Sequence, residues 1–172
     1  MSAEFPPPSI ADLVAEVSTL LKSKKETVSI AETAAGGIIS ASLLSTPGAS
    51  GYYKGGLTLY TLESRIAYAG WTEEIRSTYK GPTTEIVSGL AEHTRTKLGS
   101  TYTVSESGTA GPTGGNTRNR TPGYVALAVA SEQGTFTREI ETGTSDRQEN
   151  MVRFAAEALK LLRDVLKGEA KL

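Results

Sequence analysis

The 172-residue sequence contains no cysteine, and this absence excludes disulfide bonds, thiolate metal sites and a cysteine nucleophile. Histidine occurs once, as His93, so any Ser-His-Asp triad would have to include it. Because His93 falls inside a predicted helix at residues 83–98, we interpret it as an ordinary helix residue. No apolar run approaches the roughly 18 residues that a membrane span requires.

A strong charge of either sign is also lacking. The formal net charge is -1 and the basic residues are spread along the chain, which argues against a nucleic-acid-binding surface. The N-terminus lacks the basic flank and apolar stretch of a secretory signal, so we expect a cytoplasmic protein with no nucleic-acid or membrane partner. The length fits one domain: residues 1–8 are predicted to form a flexible proline-rich arm, and residues 9–172 a single domain.

Apolar and turn patterns predict the secondary structure. Apolar residues spaced three and four apart as far as Leu21 predict a first helix capped by Ser9, and a capping box of Ser145 and Gln148 starts the last helix. The other predicted helices are at residues 34–44, 63–69, 72–79 and 83–98, and the last helix is at 146–167. The predicted strands are at 27–31, 57–60, 101–107, 123–130 and 135–141. This order predicts an α/β fold, a three-layer α/β/α sandwich with a mixed sheet that includes a C-terminal β-hairpin.

Two glycine-bearing segments each follow a predicted strand. Residues 107–115 read SGTAGPTGG, with four glycines in nine positions, and residues 31–37 read AETAAGG. Such loops bring backbone N–H groups close to a phosphate or an oxyanion, although a flexible hairpin connection has the same composition. Because ligands gather at the carboxyl ends of strands in α/β sheets, the two segments predict one shared cleft.

Together with residues 46–56 (TPGASGYYKGG), 122–123 (PG) and 145–147 (SDR), these segments resemble the C-terminal domain of the competence- and damage-inducible protein CinA. The resemblance covers about residues 9–166. Stand-alone bacterial members of that family are nicotinamide mononucleotide deamidases. The resemblance therefore implies an amidohydrolase of NAD metabolism that converts nicotinamide mononucleotide to nicotinate mononucleotide and ammonia. It also implies a homodimer that uses no metal and no cofactor.

The resemblance implies three catalytic positions. Thr33 stands where the family has its serine nucleophile, Arg65 stands where it has a lysine that helps the serine, and Tyr60 matches a tyrosine of the site. A desolvated lysine can take the proton of a hydroxyl, and threonine is a competent nucleophile. Arginine stays protonated and cannot act as that base. Lys54 or Lys80 would be a substitute base if either reached the cleft; otherwise both are surface lysines.

The remaining site residues implied by the resemblance would bind the substrate. Arg147 matches an arginine at the head of the last helix, where it suits a nucleotide phosphate, and Ser107 takes the place of a family Thr or Ser. The other predicted binding residues are Gly36, Gly37, Gly108, Thr109, Gly111, Gly114 and Gly115.

Three functional hypotheses follow from these residues. The first is a pyridine-nucleotide amidohydrolase with Thr33 as the nucleophile. The second is a catalytically degenerate homologue, a pseudoenzyme, that binds a pyridine or other nucleotide or acts as a structural or interaction subunit. The third is an enzyme for a different amide or phosphoester. The glycine segments indicate a bound ligand more firmly than they indicate a reaction, and they do not support a purely structural subunit.

Overall fold

The structure is a computed structural model that describes residues 4–172. None of the helices in this range is long and apolar enough to cross a bilayer. The helices are α1 (Pro8–Lys24), α2 (Ile38–Leu44), α3 (Leu62–Tyr68), α4 (Glu73–Thr78), α5 (Thr84–Leu98) and α6 (Arg147–Leu166). The strands are β1 (Val28–Glu32), β2 (Tyr53–Thr58), β3 (Tyr102–Gly108), β4 (Tyr124–Ser131) and β5 (Gly134–Glu141), and short 3-10 turns lie at Ala49–Gly51 and Arg118–Arg120.

The five strands form one mixed sheet in the order β2-β1-β3-β4-β5. β1 is parallel to β2 and β3, whereas β4 is antiparallel to β3 and forms a hairpin with β5. α1, α2 and α6 cover one face, and α5 covers the other. The prediction of a three-layer α/β/α sandwich with a C-terminal hairpin is confirmed.

The two faces of the sheet carry side chains of different size. Branched residues such as Ile30, Val104 and Leu127 face the layer of α1 and α6 and form the main core. On the other face, Ala126 and Ala128 lie under α5, where small side chains let the helix approach the sheet closely. Because both faces are covered, β4 is apolar along nearly its whole length rather than alternating. The central strands β1 and β3 are equally buried but also carry polar residues, among them Glu32 and Glu106.

Strand β2 differs from its prediction. The sequence pattern placed a strand at residues 57–60 and a loop at Tyr53, but the structure places β2 at Tyr53–Thr58. The strand lies at the edge of the sheet and contains Gly55 and Gly56, which have no strand propensity. A side chain at Gly56 would collide with Tyr53 Oη at 2.5 Å and Ser40 Oγ at 2.6 Å. Close packing therefore favours glycine at position 56, and the sequence lacks the apolar residue that would have indicated a strand.

Helix α2 starts later than predicted, at Ile38 instead of residue 34. Residues 34–37 form a turn in which Gly36 and Gly37 have φ values of 68° and 101°, and these values lie outside the helical region. The predicted Ser9 cap of α1 is also wrong, because the helix already begins at Pro8 and has no side-chain cap. Proline tolerates the first helical position because its missing N–H would have no helical partner there.

The start of α6 is capped by Asp146 and not by the predicted Ser145–Gln148 box. The Asp146 carboxylate accepts a 2.8 Å hydrogen bond from the N–H of Glu149, which has no partner within the helix. A carboxylate also interacts favourably with the positive end of the helix dipole. The cap is thus one residue further along the chain than the sequence pattern indicated.

We expect Asp146→Ala to lower the free energy of unfolding by about 1 kcal/mol, because it removes this acceptor and its charge. Ser145→Ala is the matched control and should change the free energy by less than about 0.5 kcal/mol. Urea denaturation monitored by circular dichroism measures both. Equal destabilisation by the two variants would contradict the assignment of the cap.

Candidate functional site

A cleft of about 180 Å³ lies at the carboxyl ends of the parallel strands. Its walls come from the segment after β1, the segment after β2, the glycine loop after β3 and the start of α6. The lining residues are Ala34, Tyr60, Gly108, Thr109, Ala110, Gly111, Thr113 and Arg147. This edge is where α/β sheets bind their ligands, and both glycine-bearing segments contribute to the cleft.

Arg147 joins two walls of the cleft. Its Nη1 donates to the carbonyl oxygen of Gly111 at 2.7 Å, and its Nη2 donates to the phenol oxygen of Tyr60 at 3.1 Å. The guanidinium carbon lies 6.0 Å from the centre of the Tyr60 ring, and Tyr60 is 60% exposed. The structure therefore brings an accessible aromatic ring and a cationic side chain into direct contact at the cleft.

The glycines of the loop are required mainly by packing against protein. A Cβ on Gly108 would lie 2.5 Å from the carbonyl oxygen of Tyr124 and 2.9 Å from the Phe154 ring. At Gly111 the φ of 89° favours glycine, and a Cβ would lie 2.7 Å from the carbonyl oxygen of Ser145. Their presence is thus explained by neighbouring backbone and α6, and close approach to a ligand is not needed to explain it.

Asn150 fastens the glycine loop to helix α6. Its buried Nδ2 donates to the carbonyl oxygens of Ala110 and Thr144, each at 2.9 Å, and its Oδ1 accepts from Thr142 Oγ1 at 2.6 Å. All of these hydrogen bonds join the Asn150 side chain to the glycine loop or to the loop between β5 and α6. The cleft wall at Ala110 is therefore positioned from the helix that also carries Arg147.

Thr33 and Ser107 form a buried pair of hydroxyls. Thr33 Oγ1 donates to Ser107 Oγ at 3.0 Å, and the two residues are 3% and 2% exposed. Thr33 adjoins Ala34 of the cleft wall, and Ser107 adjoins Gly108, but neither of the two lines the cleft itself. The structure thus brings together the predicted nucleophile and the predicted polar neighbour just behind the cleft surface.

Glu32, the last residue of β1, caps the turn and the start of α2. Its Oε1 accepts from the N–H groups of Gly37 at 2.7 Å and Ile39 at 3.2 Å, and its Oε2 accepts from that of Ser40 at 2.9 Å. Burial raises the pKa of Glu32, and these three N–H groups oppose the shift by stabilising the charged form. The N–H of Gly37 is therefore already occupied by protein.

Glu106 lies beside Glu32 on the neighbouring strand and is completely buried. Its Oε2 accepts from the N–H groups of Thr33 and Ala35, each at 3.0 Å. Burial raises the pKa of Glu106 to about 7; the charge of Glu32 raises it further, whereas the two N–H groups and the positive charge of Arg65 lower it. A buried carboxyl group that titrates near neutral pH therefore lies directly behind the predicted nucleophile.

Arg65 is buried against two aromatic rings. Its Nε donates to the carbonyl oxygen of Leu59 at 3.1 Å, and its guanidinium carbon lies 5.1 Å from the Trp71 ring centre and 5.3 Å from that of Tyr79. The residue is 3% exposed and does not line the cleft. These contacts are cation–π interactions, which hold the guanidinium as a fixed positive charge within the fold.

The other predicted residues lie outside the cleft lining. Lys54 and Lys80 are exposed, so neither supplies a base to the cleft. Gly36 faces Met151, and Gly37 lies near Thr58. The last two glycines of the loop, Gly114 and Gly115, pack against Arg120 and Pro122. Within residues 4–172, no three acidic or histidine side chains are grouped as metal ligands.

A model of the CinA C-terminal domain matches residues 10–166 of this chain. The chain belongs to the CinA C-terminal domain family. It is 33% identical over 157 residues to a CinA-like protein of Shewanella amazonensis and 34% identical over 158 residues to one of Shewanella piezotolerans. The matches cover 90% and 92% of this chain but 36% and 37% of those proteins. The chain thus spans little more than a third of the length of these curated relatives.

Solved structures share the CinA fold described above. The competence/damage inducible protein CihA of Agrobacterium tumefaciens superposes with a TM-score of 0.86 at 26% identity, covering 97% of this chain and 99% of that one. A competence or damage-inducible protein of Enterobacter asburiae gives 0.83 at 22% identity, covering 91% and 98%. The arrangement of a mixed sheet between helical layers is therefore common to these proteins.

Three residues of this CinA domain's site did not emerge from the sequence: Glu32 as a cap, Glu106 and Asn150. The signal for Glu106 was available, because it is an ionisable residue within a strand predicted to lie between two helical layers. A carboxyl group at such a position has no access to solvent, so it requires hydrogen bonds from the backbone or a charged partner. Asn150 carried no comparable signal, since a single amide in a helix is more often exposed.

Glu106 makes the stability of the fold depend on pH. Its pKa of about 7 lies above the value of 4.5 expected in the unfolded chain, so its contribution is fully present below pH 4.5 and is lost as pH rises through 7. We expect Glu106→Gln to be more stable than the wild type at pH 8, by up to about 3 kcal/mol, and to flatten the profile between pH 5 and 8.

Thermal unfolding at a series of pH values measures this effect. Glu74→Gln, an exposed glutamate of α4, serves as the control and should keep the wild-type profile. A residual slope in the Glu106→Gln variant is expected from Glu32, whose pKa is shifted in the same direction. Identical profiles for Glu106→Gln and the wild type would show that Glu106 does not titrate in this range.

Proposed function

We propose that this CinA-family protein binds a pyridine mononucleotide in the cleft lined by Tyr60 and Arg147 and does not hydrolyse it at an appreciable rate. The observation that carries the proposal is the contrast between the two halves of the site. The aromatic ring and the guanidinium face the cleft, whereas Thr33 and Arg65 are buried behind it and Arg65 is held by aromatic rings.

The binding half suits a small anionic heterocycle. The exposed face of Tyr60 offers a stacking surface for a pyridine ring. The Arg147 guanidinium uses two of its five N–H donors on Gly111 and Tyr60, and its charge and remaining donors suit a phosphate. The cleft volume of about 180 Å³ is smaller than the roughly 300 Å³ at which pockets for drug-sized ligands begin. A mononucleotide with part of its surface in solvent therefore fits better than a dinucleotide.

The catalytic half lacks a proton acceptor. Amide hydrolysis by a hydroxyl nucleophile needs a base to take the hydroxyl proton, and a guanidinium stays protonated. The only side chain that accepts from Thr33 Oγ1 among the described residues is the hydroxyl of Ser107, which is itself a weak base. Binding is thus better supported than turnover.

We expect nicotinamide mononucleotide to bind the wild type in a calorimetric titration, with Arg147→Ala weakening the affinity at least about tenfold through loss of a charge-assisted phosphate contact. Arg153→Ala, two turns further along α6, is the matched control and should leave the affinity within about twofold. No heat with nicotinamide mononucleotide, or equal affinities for Arg147→Ala and the wild type, would contradict the proposal.

The second candidate is the amidohydrolase with Thr33 as nucleophile, and the Thr33–Ser107 hydroxyl pair beside the cleft wall favours it. In that reaction water would convert the carboxamide to a carboxylate with release of ammonia. A lysine at position 65 would lie in an apolar pocket where burial lowers its pKa and makes it a competent base. The present arginine supplies charge without that proton transfer.

The two candidates differ in their response to the paired change Thr33→Ser and Arg65→Lys. Under the first proposal, the wild type forms no nicotinate mononucleotide and the double variant forms the most, because it has both the base and the family's serine. Arg65→Lys alone should be slower, since threonine replaces the serine nucleophile. The assay follows ammonia and nicotinate mononucleotide at high enzyme concentration, with both single variants as controls and a serine-containing relative as positive control. Product formed by the wild type would favour the amidohydrolase instead.

A further inference from the structure

Glu32 and Glu106 are the two carboxyl groups of residues 4–172 with no exposed surface, and neither candidate function uses them. Of the two, Glu106 lies directly beneath the cleft wall. Its side chain leaves β3 beneath the turn after β1, and Oε2 accepts from the N–H groups on both sides of Ala34, those of Thr33 and Ala35. Ala34 itself lines the cleft. Among residues 4–172 no group hydrogen-bonds its second oxygen, Oε1. One carboxylate oxygen thus fixes the backbone that carries both the cleft wall and Thr33.

We propose that Glu106 is a positioning residue for ligand binding: its carboxyl group holds the 33–35 turn against the sheet so that Ala34 and Thr33 keep their places at the cleft. The inference rests on the proposed function for its ligand. The turn has two further ties to β3, both made by Thr33: its N–H donates to the backbone carbonyl of Glu106 at 3.1 Å, and its Oγ1 donates to Ser107 Oγ at 3.0 Å. The N–H of Ala35 depends on the side chain alone.

The charges around Glu106 determine how strongly its carboxyl group binds the 33–35 turn at different pH values. Glu32 on β1 disfavours the ionised form, and Arg65 on α3 favours it. Like Oε1, the Nη1 of Arg65 is buried without a hydrogen-bond partner among the described residues. An ionised carboxylate is a stronger acceptor for the two N–H groups than a neutral acid. The turn should therefore be held most firmly above pH 7.

Two substitutions separate positioning from folding. Glu106→Gln keeps a side-chain carbonyl as acceptor, so we expect affinity for nicotinamide mononucleotide within about threefold of wild type at pH 8. Glu106→Leu keeps the volume but removes the acceptor, and we expect at least about tenfold weaker binding at pH 8. The melting temperature at pH 8 should stay close to that of the wild type, because removal of the buried charge offsets the cost of the unpaired N–H groups. A purely structural role would move both quantities together.

Glu132→Leu is the control, because this exposed glutamate lies in the β4–β5 turn at the opposite edge of the sheet. It should alter neither the affinity nor its pH dependence. Wild-type affinity in Glu106→Leu would overturn the inference. Loss of binding in Glu106→Leu together with a lowered melting temperature would also overturn it, since the acceptor would then serve the fold as a whole.

A ligand-free measurement keeps the inference separate from the proposed function. In amide NMR spectra of the wild type, we expect the Thr33 and Ala35 resonances to titrate together with a midpoint near pH 7, and to stop doing so in Glu106→Gln. The same titration decides the matter if Glu106→Leu does not fold. Titrating amides without any nucleotide binding would remove the proposed function and leave the positioning role, whereas Thr33 and Ala35 resonances that are the same in Glu106→Gln and the wild type would overturn the latter.

Discussion

Two buried carboxyl groups at the ends of adjacent parallel strands organise the functional edge of this protein. The carboxylates of Glu32 and Glu106 together accept hydrogen bonds from five backbone N–H groups between Thr33 and Ser40. Removing a carboxylate from water is costly, and charge-assisted bonds to N–H groups offset much of that cost. The turn after β1, the start of α2 and one wall of the cleft all depend on this arrangement.

Helix α6 fixes the opposite wall by a related device. Asn150 binds the backbone of the glycine loop, and one turn earlier Arg147 reaches the same loop and Tyr60. Both walls are therefore set by polar side chains that hydrogen-bond to backbone groups. A cleft built in this way is formed before any ligand arrives, so little ordering entropy has to be lost on binding.

The sequence predicted the three α/β/α layers, the C-terminal hairpin and the edge of the sheet at which the cleft lies. It could do so because apolar periodicity and strand–helix alternation report directly on burial. It failed where local pattern and tertiary contact disagree. β2 is an edge strand in which Gly56 packs against Tyr53 and Ser40, and residues 34–37 are kept out of α2 by carboxylates from two strands. Whether a predicted site residue faces the cleft or lies behind it depends on side-chain direction, as at Thr33 and Arg65, and no spacing rule contains that information.

The environment of Arg65 indicates what this position does in the present chain. A planar guanidinium stacks well on aromatic rings and remains charged when buried, whereas a compact ammonium group stacks poorly and loses its proton readily in the same surroundings. The Trp71 and Tyr79 rings lie where they contact the Arg65 guanidinium, and the Arg65 Nε donates a hydrogen bond to the carbonyl oxygen of Leu59. Its charge also favours ionisation of Glu106, the group that holds Thr33. Position 65 thus balances a buried negative charge, which is an electrostatic task that does not require the cation to exchange a proton.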